Sequence, residues 1–211
     1  MDFDLSRIIA GLPAFLLGII LHEVAHGYVA YLLGDDTAKR AGRLTLSPLP
    51  HIDPIGALFF VISSLSGAGF GWAKPVPIAL ERLRNPRRDE ILVTLAGPMA
   101  NLLQALVWAG LLRVAIQFFS GGLALALVQF FFIGVAINAL LMFFNLMPIP
   151  PLDGSHVAFH LLGFKDPYLV ERLAPLGFIF LIIIIRTPVF DLFYTHLVDP
   201  FIFLLLPAVI R

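Results

Sequence analysis

The chain has 211 residues, 59% of them hydrophobic and 13% charged, with zero formal net charge and no cysteine. A soluble domain is about half apolar and about a quarter charged, so this composition describes a chain whose solvent is largely a bilayer. Neutrality removes the basic field that nucleic acid requires, and the absence of cysteine excludes disulfides, thiolate ligands and cysteine nucleophiles, which leaves His, Asp and Glu to hold any metal.

The N-terminus, Met1-Asp2-Phe3-Asp4, lacks the basic region of a cleavable signal peptide, and no small-residue cleavage site follows, so the first apolar segment is expected to stay in the mature protein. Residues 8–33 are apolar except for His22, Glu23 and His26, and as a helix they run about 39 Å, enough to cross. Residues 34–50 carry Asp35, Asp36, Lys39, Arg40 and Arg43 and, with strand-like alternation around Arg43-Leu44-Thr45-Leu46, read as loop or short β structure. Residues 52–65 are apolar but reach only about 21 Å as a helix. They give way to Ser66-Gly67-Ala68-Gly69, so the segment reads as re-entrant or packed inside the bundle. Residues 71–79 contain Pro75 and Pro77 and suit an edge strand or extended loop.

A basic run follows, Arg82, Arg84, Arg87 and Arg88. Residues 91–119 and 123–144 are two clear spans, joined by the uncharged Ser120-Gly121-Gly122. After the proline-rich stretch 145–154 come two weaker apolar segments, 169–185 and 189–209, blurred by Arg186, Asp191, His196 and Asp199. The expected fold is an all-α integral-membrane protein. It is a polytopic helical bundle of roughly four to six transmembrane segments with short membrane-associated β or re-entrant elements, forming a single domain over residues 1–211.

Positive charge orients the bundle. If residues 52–65 do not cross, Lys39, Arg40 and Arg43 share one side with Lys74, Arg82, Arg84, Arg87 and Arg88, and that side is cytoplasmic. The uncharged turn at 120–122 then faces outward.

His22-Glu23-Val24-Ala25-His26 has the pattern H-E-x-x-H. On a helix, positions i and i+4 share a face, so both imidazoles can bind one Zn²⁺, and the adjacent Glu23 can act as general base on a water there. The alternative is two structural histidines and a buried glutamate. Within hydrocarbon, each unpartnered ionisable group costs at least about 2.5 kcal/mol, which favours a shared cation. Zinc takes a third protein ligand and one open position. Asp153 follows the inward-running span 123–144 and so emerges at the depth of His22 and His26; its other reading is a helix N-cap or a turn residue before Gly154.

These residues together resemble the site-2 protease family of intramembrane zinc metalloproteases. The resemblance rests on H-E-x-x-H at 22–26 and Leu152-Asp153-Gly154, and on Ala96-Gly97-Pro98-Met99-Ala100-Asn101, similar to the family's Gly-Pro-x-x-Asn element. It extends to His51-Ile52-Asp53-Pro54-Ile55-Gly56 and Gly71-Trp72-Ala73-Lys74-Pro75, most of residues 18–160. It implies Glu23 as the catalytic base, His22, His26 and Asp153 as ligands to one zinc per chain, and no other cofactor. The chain looks like the short bacterial or archaeal branch, with no span before the motif helix and no PDZ-like insertion.

Gly97, Asn101 and Gln104 fall on one face of their helix. They either pack helices and hydrogen-bond across them, or Asn101 orients substrate backbone. Asn145 either donates to the developing oxyanion or caps its own helix. His51, His156, His160 and His196 read as structural, cytoplasmic or interfacial histidines.

The expected function is hydrolysis of peptide bonds within or near transmembrane segments of single-pass or membrane-anchored proteins. The expected setting is a prokaryotic cell membrane, with the site nearer the cytoplasmic side and the lipid bilayer as the other partner. Extended substrate could pair with residues 43–46 or 72–78. A membrane metal-ion transporter or metal-binding regulator, or an inactive scaffold, would use the same residues differently. The oligomeric state is not encoded in any motif.

Overall fold

A computed structural model describes residues 5–65, 71–164, 166 and 168–207. The signal-peptide reading of Met1-Asp2-Phe3-Asp4 and the Ser66-Gly67-Ala68-Gly69 break lie outside the described residues. Among the described residues, four helices are long and apolar enough to cross a membrane: Gly11–Leu32, Pro86–Phe118, Gly121–Asn145 and Pro188–Leu205. The chain is therefore a multi-pass membrane protein, with the number of long spans at the low end of the expected range.

The first helix, α1 (Leu5–Leu32), is followed by the short α2 (Thr37–Arg40) and by α3 (Pro54–Leu65). At 12 residues, α3 is about 18 Å long, well short of a bilayer core. The segment that holds it returns to its starting place, since Lys74 N–H donates to His51 O at 2.8 Å and Ile52 bridges Ala73.

No strand forms among the described residues, which corrects the expectation of β elements at 43–46 and 72–78. The physical reason lies in side chains that take the places of strand partners. Pro75 and Pro77 have no N–H to offer, Val76 N–H goes to Glu23 Oε2 at 2.8 Å, and Ala79 N–H goes to Asp35 Oδ2 at 2.7 Å. The Arg43 guanidinium donates to the carbonyls of Lys74 and Pro75. Residues 71–79 are thus an extended strap tied down by three side chains.

The two long central helices, α4 (Pro86–Phe118) and α5 (Gly121–Asn145), pack on each other and on α1. Small residues let these backbones approach, as in many membrane helix pairs. Ala105, Ala109 and Leu112 of α4 and Val135 and Ala139 of α5 are buried together with Val198 and Ile202 near the C-terminus. A Cβ on Gly134 would lie 2.5 Å from the Trp108 ring, so only glycine admits the indole there.

A short helix, α6 (Asp153–Leu161), packs on α4. The 17-residue α7 (Leu169–Ile185) is apolar and about 26 Å long. The final helical segment, α8 (Pro188–Phe193), a π turn (Tyr194–Val198) and α9 (Asp199–Leu205), is continuous over 18 residues.

Candidate metal centre

The motif helix carries His22 and His26 into the contact between α1 and α4, where both side chains are buried. Their Nδ1 atoms are engaged first. His26 Nδ1 lies 2.7 Å from the carbonyl oxygen of Val93, and His22 Nδ1 lies 2.7 Å from Oδ1 of Asn101. Both partners accept only, so each ring donates from Nδ1 and a neutral imidazole is left with its lone pair on Nε2.

Those two lone pairs face each other. The Nε2 atoms are 3.0 Å apart, with Asp153 Oδ2 at 3.2 Å from His22 Nε2 and Asp153 Oδ1 at 3.4 Å from His26 Nε2. All three residues offer a ligand atom within 4.8 Å of the others, the only such group of three found among the described residues. Asp153 is the first residue of α6, whose cap position Leu152 holds. Its Oδ2 is buried without a hydrogen-bond partner among the described atoms.

Acceptor atoms converging without a donor are unfavourable until a cation sits among them. Two neutral imidazole nitrogens and one carboxylate are a donor set that suits zinc and leaves a position open for water. Gly97 supplies the space. A Cβ there would stand 2.6 Å from His22 Nε2 and closer still to His26 Nε2.

The three residues line a cavity of about 810 Å³ shared with Glu23, Asn145 and strap residues such as Trp72 and Val76. Phe178 of α7 closes on Trp72 from the far side, ring centroids 4.9 Å apart. Glu23 Oε2 is held by the Val76 N–H at 2.8 Å, so the strap fixes the carboxylate at the edge of the cavity.

Other sequence candidates take different places. Gly97, Asn101 and Gln104 are all buried on the α4 face, as their spacing requires. Asn101 is fully buried, and its amide reaches His22, Gly18 O at 3.1 Å and Asn138 Oδ1 at 3.0 Å, so it meets a histidine rather than the cavity. Asn145 donates from Nδ2 to Leu141 O at 2.9 Å, the capping interaction of its own helix, while also lining the cavity. His51 is buried and its Nε2 bonds Thr45 O at 3.0 Å. His156 pairs with Glu90 at 3.2 Å, and His196 lies exposed against Leu192 O. Sequence reasoning missed Asn138, Val93 and Arg43, because each acts through a contact distant in the chain and belongs to no short motif.

Replacing Gly97 with alanine is expected to push the Nε2 atoms apart and leave the helix intact. Purified Gly97→Ala should contain far less than one zinc per chain by elemental analysis, against about one for the wild type.

Residues 112–184 match the model of Peptidase family M50. A protein of Bacillus subtilis named "Putative zinc metalloprotease YwhC" is 38% identical over 176 residues, 82% of this chain and 78% of the relative. The "Putative zinc metalloprotease Rip2" of Mycolicibacterium smegmatis is 32% identical over 204 residues, 90% of this chain and 71% of the relative. No solved structure matches the chain. The chain belongs to peptidase family M50, the site-2 protease family of intramembrane zinc metalloproteases.

Proposed function

We propose that the chain, acting as one integral-membrane domain over residues 1–211, hydrolyses peptide bonds within or next to the transmembrane segment of single-pass or membrane-anchored proteins. The observation that carries this reading is the convergence of two imidazole lone pairs and the Asp153 carboxylate beside Glu23, at one wall of a cavity between apolar helices. His22, His26 and Asp153 hold the zinc. When bound there, zinc supplies a Lewis acid that polarises a carbonyl and brings the pKa of a water to about 7.

Glu23 is the catalytic base. With Oε2 fixed by Val76 N–H, its other carboxylate oxygen receives a proton from the attacking water and later delivers it to the leaving amide nitrogen. Asn145 lines the cavity and bonds Leu141 O through one amide hydrogen; in this reading the other donates to the developing oxyanion. The support for catalysis over ion transport is the ligand set gathered at one end of the cavity beside a glutamate, rather than on broken helices at the midplane.

The active site is nearer the cytoplasmic side. Arg82 bonds Asp36 at 3.2 Å and Arg43 bonds the Lys74 carbonyl, so the two basic loops touch and lie on one face, which the positive-inside rule makes internal. Ile52 and Ala73 bridge each other on that face, which makes α3 a re-entrant helix rather than a crossing.

Two experiments check these assignments. Glu23→Gln keeps the side-chain size and should retain zinc, while cleavage of a single-pass substrate falls by about 10²–10⁴-fold; wild-type cleavage would remove Glu23 from the chemistry. Because the chain has no cysteine, single substitutions give clean topology. Lys39→Cys and Arg84→Cys should react with an impermeant maleimide only after the cells are opened, and Ser120→Cys in intact cells.

A further inference from the structure

The two histidines reach the same tautomer by different routes, and the longer route points to a residue with no role in the motif. His26 is set in one step, because its Nδ1 faces the Val93 carbonyl, which can only accept. His22 instead faces Asn101, and an amide can turn either end toward a ring. With Oδ1 toward the ring, His22 must carry its proton on Nδ1. With Nδ2 toward the ring, Nδ1 must be the acceptor and the proton moves to Nε2. That proton would point at His26 Nε2 and Asp153 Oδ2, 3.0 and 3.2 Å away, where the metal belongs.

Two contacts select the first arrangement: Gly18 O, which can only accept and lies 3.1 Å from Asn101 Nδ2, and a residue behind Asn101. Asn138 of α5, fully buried, has its Nδ2 3.0 Å from the carbonyl oxygen of Gly134. A carbonyl offers only lone pairs, so the nitrogen end of Asn138 must face it and the oxygen end must face away, 3.0 Å from Asn101. Asn101 can meet that oxygen only with Nδ2. Gly18 O, 3.1 Å off on α1, takes its second hydrogen. The remaining atom, Oδ1, is then the one left for His22 Nδ1 at 2.7 Å. Turning either amide over would set oxygen against oxygen at a buried site.

We propose that Asn138 is a positioning residue for the metal centre: by fixing the orientation of the Asn101 amide, it holds the His22 ring with Nδ1 protonated and Nε2 free to bind the metal. This rests on the reading of His22 as a ligand. Two main-chain carbonyls, Gly134 O on α5 and Gly18 O on α1, thus set the protonation pattern of a ring on α1 through two amides, one on α4 and one on α5. The same bonds hold the three helices at one height around the site.

The test measures zinc affinity by chelator competition and the visible spectrum of the cobalt-substituted protein, in Asn138→Leu, Asn138→Ala and His22→Ala, beside thermal unfolding of each metal-free protein. Both Asn138 variants should weaken zinc binding by about 10- to 100-fold, the range of outer-shell ligand partners, and alter the cobalt bands. Asn138→Asp should stay close to wild type in affinity and spectrum, because an oxygen still faces Asn101 and a protonated carboxyl can still donate to Gly134 O. Wild-type affinity and spectrum in Asn138→Ala, even with lowered thermal stability, would overturn the proposal and leave Asn138 as packing. If His22→Ala also binds zinc normally, it is the ligand reading that fails; if His22→Ala loses zinc while both Asn138 variants keep it, only the positioning role falls.

Discussion

The structure is organised around two imidazole nitrogens placed 3.0 Å apart inside an apolar bundle, each with its lone pair toward the other. Neither ring can turn away, because the opposite nitrogens are held at 2.7 Å by Asn101 and by the Val93 carbonyl. The Asp153 carboxylate closes on the same point from a different helix. A cluster of acceptors is tolerable in such surroundings only with a cation among them, so the fold of the central helices and the need for a metal are one constraint.

That constraint explains features that would otherwise read as separate. Gly97 leaves the space into which the rings point. Asn101 and Asn138 are buried amides in a membrane helix pair, held there because Asn101 donates to Gly18 O and to Asn138 Oδ1 while Asn138 donates to Gly134 O. The strap at 71–79 brings the Val76 N–H to Glu23, and Asp35 and Arg43 hold the strap in place from the loop after α1. Glu23, the three candidate ligands and the cavity wall are thereby tied to a single frame.

Much of this was legible in the chain itself. The H-E-x-x-H spacing and the apolar setting single out His22, Glu23 and His26, and charge asymmetry around the spans is the ground for expecting Asp153 near them; the structure brings a ligand atom of His22, His26 and Asp153 within 4.8 Å of one another. One reading changed. Residues 43–46 read as loop or short β structure and 71–79 as edge strand or extended loop, and no strand forms because Glu23, Asp35 and Arg43 take the strap's hydrogen bonds, a competition between distant residues that local pattern does not reveal. Of the two readings of Asn101, hydrogen bonding across helices is the one observed, to Gly18 O, Asn138 and His22. Asn138 carried no signal, since a lone amide in an apolar run has no spacing to mark it; only the helix register of α4 against α5 places it behind Asn101.

The central claim is that His22, His26 and Asp153 together bind one zinc. X-ray absorption at the zinc edge of the purified protein tests it most directly, because it reports the ligands themselves. The account predicts about one zinc per chain with two imidazole nitrogens near 2.0–2.1 Å and oxygen ligands beside them. Two imidazoles should become one in His22→Ala. Zinc absent from protein purified without chelator, or bound with no imidazole signature, would contradict it.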